Sequence, residues 1–194
     1  TETLDYQPNL VLSGTFDRTF QASQLGTGLL FTSHQSRFDI FVQAQNASLN
    51  SVTNITNSFW HFLPRASWKH EFTSSKNLEL RYSTRLNAPR LSQLQTLVDN
   101  TNSLSIYEGN PELDPEYRHD FTAGLTILDA FSFTNFFANL RSSYIDNRIL
   151  NRLSVDDLLR QVRQPVNSDY EWQNQLYASF STPLRIVDVS LQLR

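Results

Sequence analysis

The sequence predicts an all-β protein: an antiparallel up-and-down transmembrane β-barrel segment contributing about eight strands to a larger barrel. Three observations predict it. Apolar and polar residues alternate with period two along stretches well beyond the ~5–6 residues usual for globular strands. The connections between these stretches alternate between tight and long. Aromatic residues gather near the stretch ends, at Trp60, Phe72, Tyr117, Phe131, Tyr144 and Tyr170, where a membrane barrel places its interfacial girdles.

Composition narrows the class. The chain has 194 residues, 39% hydrophobic and 12% aromatic, which is too apolar for disorder. Its net charge of −3, from Lys+Arg 16 against Asp+Glu 19, is spread without blocks and offers no phosphate-binding stripe, so nucleic acid is not an expected partner. Cysteine is absent, which removes disulfides, thiolate nucleophiles and cysteine metal sites. No apolar run approaches the ~20 residues of a membrane helix, and no signal peptide is visible. With no methionine at position 1, the sequence reads as a segment of a longer chain whose targeting signal lies outside it.

The elements follow in order. A first strand is expected from about Phe16 to Phe31 with a change of phase, followed by RFDIFVQAQ, with Phe38, Ile40, Val42 and Ala44 on one side. In FWHFLPRASWKHEF, Trp60, Phe62, Ala66, Trp68 and Phe72 oppose His61, Arg65, Ser67, Lys69 and Glu71; Leu63 falls on the wrong face and Pro64 lacks a ladder donor. NLELRYSTRL is the clearest case, setting Leu78, Leu80, Tyr82, Thr84 and Leu86 against Glu79, Arg81, Ser83 and Arg85. YRHDFTAGLTI, DYEWQNQLYASF and IVDVSLQL repeat the pattern, whereas FSFTNFFANLRSSY changes phase between Phe133 and Phe136, as a bulge would cause.

Residues 33–36, 74–76, 128–130 and 182–184 are expected as tight hairpins, and residues 48–57, 88–115 and 148–168 as long polar connections. In the hairpin around 74–76, pairing Phe72 with Leu78 would set Lys69 against Arg81 and Glu71 against Glu79. A slipped register that places Lys69 opposite Glu79, or Glu71 opposite Arg81, is therefore expected. Within the last long connection, SVDDLLRQV fits either a short capped helical turn or an extension of a strand.

Against this monotony stands IYEGNPELDPEYRH, residues 106–119. Asn110 and Asp114 each precede a proline and are pushed away from helical conformations, while Gly109 can supply a positive φ. The stretch reads as a stiffened return path. Its acids Glu112, Asp114 and Glu116 could bind a cationic ligand or could keep a rim soluble, and the structural role is the expected one.

The stretch from Arg81 to Leu125 resembles the barrel of TonB-dependent outer-membrane receptors, in the outer-membrane β-barrel family. The residues that carry the resemblance are Tyr82, Ser83, Arg85, Pro89, Gln93, Leu94, Gly109, Asn110, Pro111, Leu113, Pro115 and Glu116. Weaker likeness extends through FDRTFQASQLGTGL, DNRILNR and QPVNSDY. The resemblance implies location in the bacterial outer membrane and energised uptake of a nutrient such as a siderophore, oligosaccharide or peptide. The partners it implies are outer-membrane lipid, the receptor's own plug domain, the TonB energy-coupling complex, a surface lipoprotein and a small nutrient ligand. The plug and the remaining strands are expected outside residues 1–194, which read as a single partial barrel domain.

The candidate lumen-facing residues are Arg65, Lys69, Glu71, Glu79, Arg81, Arg85 and Gln173; the candidate extracellular loop contacts are Tyr107, Glu108, Asn110, Glu112 and Asp114. His34, His61, His70 and His119 lack the spacing of a metal site. No nucleophile, phosphate-binding or dinucleotide fingerprint occurs, so neither an enzyme nor a bound cofactor is expected. Two alternatives to a transporter segment stay open: a self-contained eight-strand barrel acting as anchor or adhesin, and a secreted β-sandwich binding module.

Overall fold

The computed structural model describes residues 18–51, 57–95, 98–102, 105–184 and 189–193. Four long strands come first: β1 (Arg18–Thr32), β2 (Ser36–Ser51), β3 (Asn57–Thr73) and β4 (Lys76–Asn87). A connection follows that holds a single helical turn, α1 (Leu91–Leu94), and two short strands, β5 (Val98–Asn102) and β6 (Ser105–Glu108). The chain then returns to β7 (Glu116–Asp129), β8 (Thr134–Val155), β9 (Gln161–Leu184) and β10 (Val189–Leu193).

The wall is one antiparallel sheet in the order β1-β2-β3-β4-β7-β8-β9, with β10 paired to β9. Among the described residues β1 and β10 have no further partner, so the sheet is open, as a section of a larger barrel must be. The eight wall strands are those expected from the alternation.

Register makes the two faces explicit. On one face a rung of Leu80, Ala123, Leu140 and Leu176 crosses four strands. Four residues further along β4, the rung is Thr84, His119, Tyr144 and Trp172; four residues the other way, Ile127 pairs with Phe136 and Phe136 with Phe180. Tyr144 and Phe136 are eight residues apart on β8, which at ~3.4 Å per residue and a tilt of ~40° separates the aromatic rungs by roughly 21 Å, close to the ~25 Å apolar band of a membrane barrel. Tyr82 and His119 join the upper girdle through a 2.8 Å bond between the phenol oxygen and Nδ1, which satisfies the polar tip of each ring.

This apolar face is open. Leu25 is 80% exposed, Leu29 76% and Leu176 71%, and the buried hydrophobic side chains among the described residues are Leu94, Ile106, Leu113 and Ile145, all near the long-loop rim. A sandwich would bury such a face against a second sheet; here it stays bare for a membrane.

Several sequence expectations are corrected. β1 pairs with β2 from Arg18 to Thr32 without a register shift, so the strand has no phase change in its ladder. What disturbs its pattern is a packing detail on the opposite, polar face. The Phe41 ring lies over Gly26 and Gly28, where a Cβ would come within 2.5 and 2.7 Å of it, and the Arg65 guanidinium sits 4.2 Å from the ring centroid. The irregularity near Phe133 belongs to a turn rather than a bulge. Phe133 has φ 55°, the Asp129 carboxylate accepts from the backbone N–H of Phe131 at 3.0 Å, and the β7–β8 ladder is continuous.

Residues 182–184, expected as a tight turn, are strand, with Leu184 paired to Val189, and residues 185–188 lie outside the described residues. The largest correction concerns 148–168. It is not a loop but the continuation of β8 and β9 into a long hairpin, paired as far as Val155 and Gln161, which settles SVDDLLRQV as strand plus turn. The slipped register of the β3–β4 hairpin is found: Lys69 pairs with Glu79 and His70 with Leu78, with a bulge between Glu71 and Thr73.

Candidate functional site: the polar face and the long-loop rim

The face opposite the apolar one carries the charge. Arg65, Lys69, Glu71, Glu79, Arg81, Arg85 and Gln173 all share it by register. Lys69 bonds Glu71 at 2.7 Å, and Arg81 pairs with Glu79. Such exposed pairs contribute little individually. Further up the wall the charges become linked across strands. The Asp120 carboxylate accepts from Arg85 at 2.9 Å, from Arg118 at 2.8 Å and from the Ser143 hydroxyl at 2.6 Å, so one acid on β7 ties β4 to β8.

A second centre sits at the rim. Glu116, 7% exposed, accepts from Arg148 Nη1 at 2.7 Å, from the Ile149 N–H at 2.9 Å and from Asn87 Nδ2 at 3.4 Å. Arg148 also donates to Glu171 at 2.5 Å, and Gln173 donates to Glu171 at 2.7 Å. Strict alternation from Tyr144 would turn Arg148 to the apolar face. It reaches these acids because Asn147 adopts φ 53°, a left-handed conformation that asparagine tolerates better than most residues.

The 88–115 connection docks above this network. β6 adds in parallel to β9, pairing Ser105 with Gln161 and Tyr107 with Arg163, on the edge away from β8. To reach that edge from β4 the chain crosses the tops of β7, β8 and β9, then comes back. It crosses on the polar side: Ser143 and Ile145 are 2% and 1% exposed there, while Tyr170 and Trp172 on the opposite face remain 63% and 59% exposed.

The GNPELDPE stretch fastens this crossing. Asn110 donates its backbone N–H to the Gln93 carbonyl at 2.7 Å and its amide to the Pro165 carbonyl at 3.2 Å. Its Oδ1 accepts from the Glu112 N–H at 3.0 Å, which fixes the turn around Pro111. Asp114 and Asn167 are joined twice: the Asp114 N–H donates to Asn167 Oδ1 at 2.9 Å, and Asn167 Nδ2 donates to the Asp114 carbonyl at 3.0 Å as well as to the Asn147 carbonyl at 2.8 Å. Gly109 is needed for close approach and not for a positive φ, which no described glycine has; a Cβ there would lie 1.9 Å from the Gln95 carbonyl oxygen.

Of the five rim candidates, Asn110 is thus occupied in fastening and Tyr107 sits half-buried in β6, where burial raises its phenol above the usual value. The side chains of Glu108, Glu112 and Asp114 stay exposed. The sequence reading missed Arg148, Asp120, Glu171 and Asn167. The stretches DNRILNR and QPVNSDY contain two of them, but only the folded hairpin brings Arg148 and Asn167 to the GNPELDPE segment.

At the outer tip of the hairpin, the Asp156 carboxylate closes the turn. It accepts from the Leu158 and Arg160 backbone N–H groups at 3.0 and 2.9 Å and from Arg160 Nε at 2.7 Å. The Arg160 side chain, followed by its backbone N–H, holds the Asp156 carboxyl below the ordinary aspartate value.

An open antiparallel wall with a bare aromatic-bounded face, a charged face and one elaborated rim defines an outer-membrane β-barrel. The chain belongs to the outer membrane protein beta-barrel family, whose model matches residues 15–190. No curated protein matches the sequence. Among solved structures, the siderophore receptor PirA from Pseudomonas aeruginosa aligns with a TM-score of 0.54 at 13% identity, over 91% of this chain and 44% of that one. PirA from Acinetobacter baumannii aligns at 0.55 and 10% identity, over 87% and 26%. The copper transporter OprC aligns at 0.59 and 15% identity, over 87% and 27%. These likenesses share the fold, and the chain spans less than half the length of each.

Proposed function

We propose that residues 1–194 form one partial barrel domain in the wall of a TonB-dependent receptor that takes up a nutrient. The nutrient class is a siderophore, an oligosaccharide or a peptide, and the plug domain and TonB complex that energise its passage lie outside this segment, with a surface lipoprotein as a further partner. The observation that carries the reading is the crossing of the 88–115 connection on the polar side. A barrel that only anchored itself would have no use for a connection of that length fastened over its interior face, whereas a receptor needs its mouth covered. Arg65, Lys69, Glu71, Glu79, Arg81, Arg85 and Gln173 would then line the lumen and meet plug or substrate. Tyr107, Glu108, Asn110, Glu112 and Asp114 would stand at the extracellular mouth.

Uptake by cells carrying the full-length receptor tests this. Accumulation of one of the three nutrient classes should depend on the receptor and collapse when an uncoupler dissipates the inner-membrane gradient. Uptake that survives the uncoupler, or no receptor-dependent uptake of any class, contradicts the proposal. Reversing the charge of Glu112 and Asp114 together separates their roles: lost uptake at normal barrel levels assigns them to the ligand, and reduced levels assign them to the rim.

A further inference from the structure

The edge of β9 turned away from β8 is shared between two strands, and the stretch between them is unpaired. At the tight-turn end β10 pairs antiparallel, from Val189 on Leu184 to Leu193 on Phe180. At the hairpin end β6 pairs parallel, from Ser105 on Gln161 to Tyr107 on Arg163, and the Asn110 amide then donates to the Pro165 carbonyl at 3.2 Å. From Asn167 to Ser179 no strand among the described residues lies on this edge. The ladder tells which backbone groups are concerned. The Asp156 N–H donates to the Arg160 carbonyl at 3.0 Å across the hairpin, so even-numbered β9 residues turn their N–H and C=O toward β8 and odd-numbered ones turn theirs away. Pro165, whose carbonyl meets Asn110, obeys the same rule. The odd-numbered residues from Asn167 to Ser179 therefore offer a row of donors and acceptors, and Trp172 and Leu176 beside them on the apolar face show that the row descends into the membrane. At that depth hydrocarbon cannot satisfy it, so a further strand has to.

Continuity with the β9–β10 pairing names that strand. Leu193 lies opposite Phe180, and each step forward along β10 is one step back along β9, so the sixth residue after Leu193 meets Asn174 and the eighth meets Trp172. Any other segment would have to displace β10 to enter this edge. The same register fixes where the pairing must end. The thirteenth residue after Leu193 meets Asn167, and beyond it the outward groups of Pro165, Arg163 and Gln161 are held by Asn110 and β6. One edge cannot pair with two strands at the same height. We propose that the chain following Leu193 occupies the β9 edge from Ser179 to Asn167 and that β6 is its stop, so that the wall strand begun by β10 ends just above the Tyr170–Trp172 girdle while β9 runs on to the hairpin tip. The inference rests on reading these residues as part of a larger barrel. It gives the 88–115 connection a second task, since the segment that crosses the mouth also ends a wall strand on the far side of the hairpin.

The test is disulfide trapping in the full-length protein, assembled in its own outer membrane and free of other cysteines. Even-numbered β9 positions suit it, because antiparallel pairs that exchange no backbone bonds bring their side chains closest. Asn174→Cys, combined with a cysteine in place of the sixth residue after Leu193, should cross-link on mild oxidation. Val166→Cys, combined with a cysteine in place of the fourteenth, should link at least several-fold less, whereas Ser105→Cys with Gln161→Cys should link efficiently at the level that β6 holds. Each single-cysteine variant should keep heat-modifiable migration, which shows that the barrel assembles. Efficient linking of the Val166 pair overturns the stop, and absence of the Asn174 link in assembled barrels overturns the assignment of the edge. Protein that forms the Asn174 link and not the Val166 link, yet takes up nothing in the uncoupler assay, would refute the transport reading and support this inference.

Discussion

The wall and the rim of this molecule are built by opposite rules. In the wall, alternation is kept from rung to rung and almost nothing is buried; Leu80, Ala123, Leu140 and Leu176 make an apolar rung with no protein over it. At the rim, alternation fails at Asn147 and around the two prolines of GNPELDPE, and that is where Leu94, Ile106, Leu113 and Ile145 are buried. The wall has no core because its surroundings supply one, lipid on one side and lumen contents on the other. The rim meets water and therefore has to make its own small core and satisfy its own backbone, through β6 on β9, Asn110 on Pro165 and Asn167 on Asp114.

That contrast can be broken most severely in the wall. Leu80→Arg should disrupt assembly by ~2–4 kcal/mol if the site lies near the bilayer midplane, and Ser83→Arg on the other face should be tolerated. Folding into detergent or vesicles followed by heat-modifiable migration reads this directly, and equal tolerance at both positions would defeat the assignment of faces. At the rim, Arg148→Ala leaves the buried Glu116 carboxylate without its cation, at a cost of about 1–3 kcal/mol. Urea titration of the assembled barrel should register the loss, while Glu116→Gln/Arg148→Met together should cost less than the single change.

Asn167→Ala is a finer probe, since it removes both bonds to Asp114 and the one to the Asn147 carbonyl while leaving β4 and β7 untouched. We expect the Leu113 and Asp114 amides to exchange faster, corresponding to about 1–2 kcal/mol of local protection, with unchanged exchange in β4 and β7. Slowed or unaltered exchange would show that the crossing is held some other way.

How much of this was legible in the sequence follows from the same contrast. Period-two alternation is a local signal, so the eight wall strands and both of their faces could be read, and charge pairing sufficed to exclude the unslipped register and leave two, of which the one with Lys69 opposite Glu79 is found. The hairpin was misread because residues 148–168 interleave Arg148, Arg152, Asp156, Asp157, Arg160 and Arg163 with scattered Leu and Val and keep no clean apolar face: above the membrane a strand has no lipid to face, and its sequence looks like a loop. The fastening residues were hidden for a different reason. Asn110 and Pro165 are 55 residues apart, and nothing local in either says that they meet.

The smallest expected effect is at the hairpin tip. Because the Asp156 carboxyl is held below its ordinary value, its contribution to the turn is fully present above the unfolded value near ~3.9 and is lost as pH falls through the lower folded value. Protection of the Leu158 and Arg160 amides should fall over that acid window and not between pH ~5 and ~8. Asp156→Asn should remove the pH dependence.

The orientation that places this rim outside and the tight turns inside is tested most directly by labelling. The segment has no cysteine, so one introduced residue serves as the reporter in the full-length protein, at Asp157 in the hairpin tip or at Ser75 in the β3–β4 turn. A membrane-impermeant maleimide should label the Asp157→Cys variant on intact cells and the Ser75→Cys variant only after the outer membrane is permeabilised. Reversed labelling would invert the topology and move the crossing to the periplasmic side, and equal labelling of both in protein that stays soluble without detergent would contradict the barrel itself.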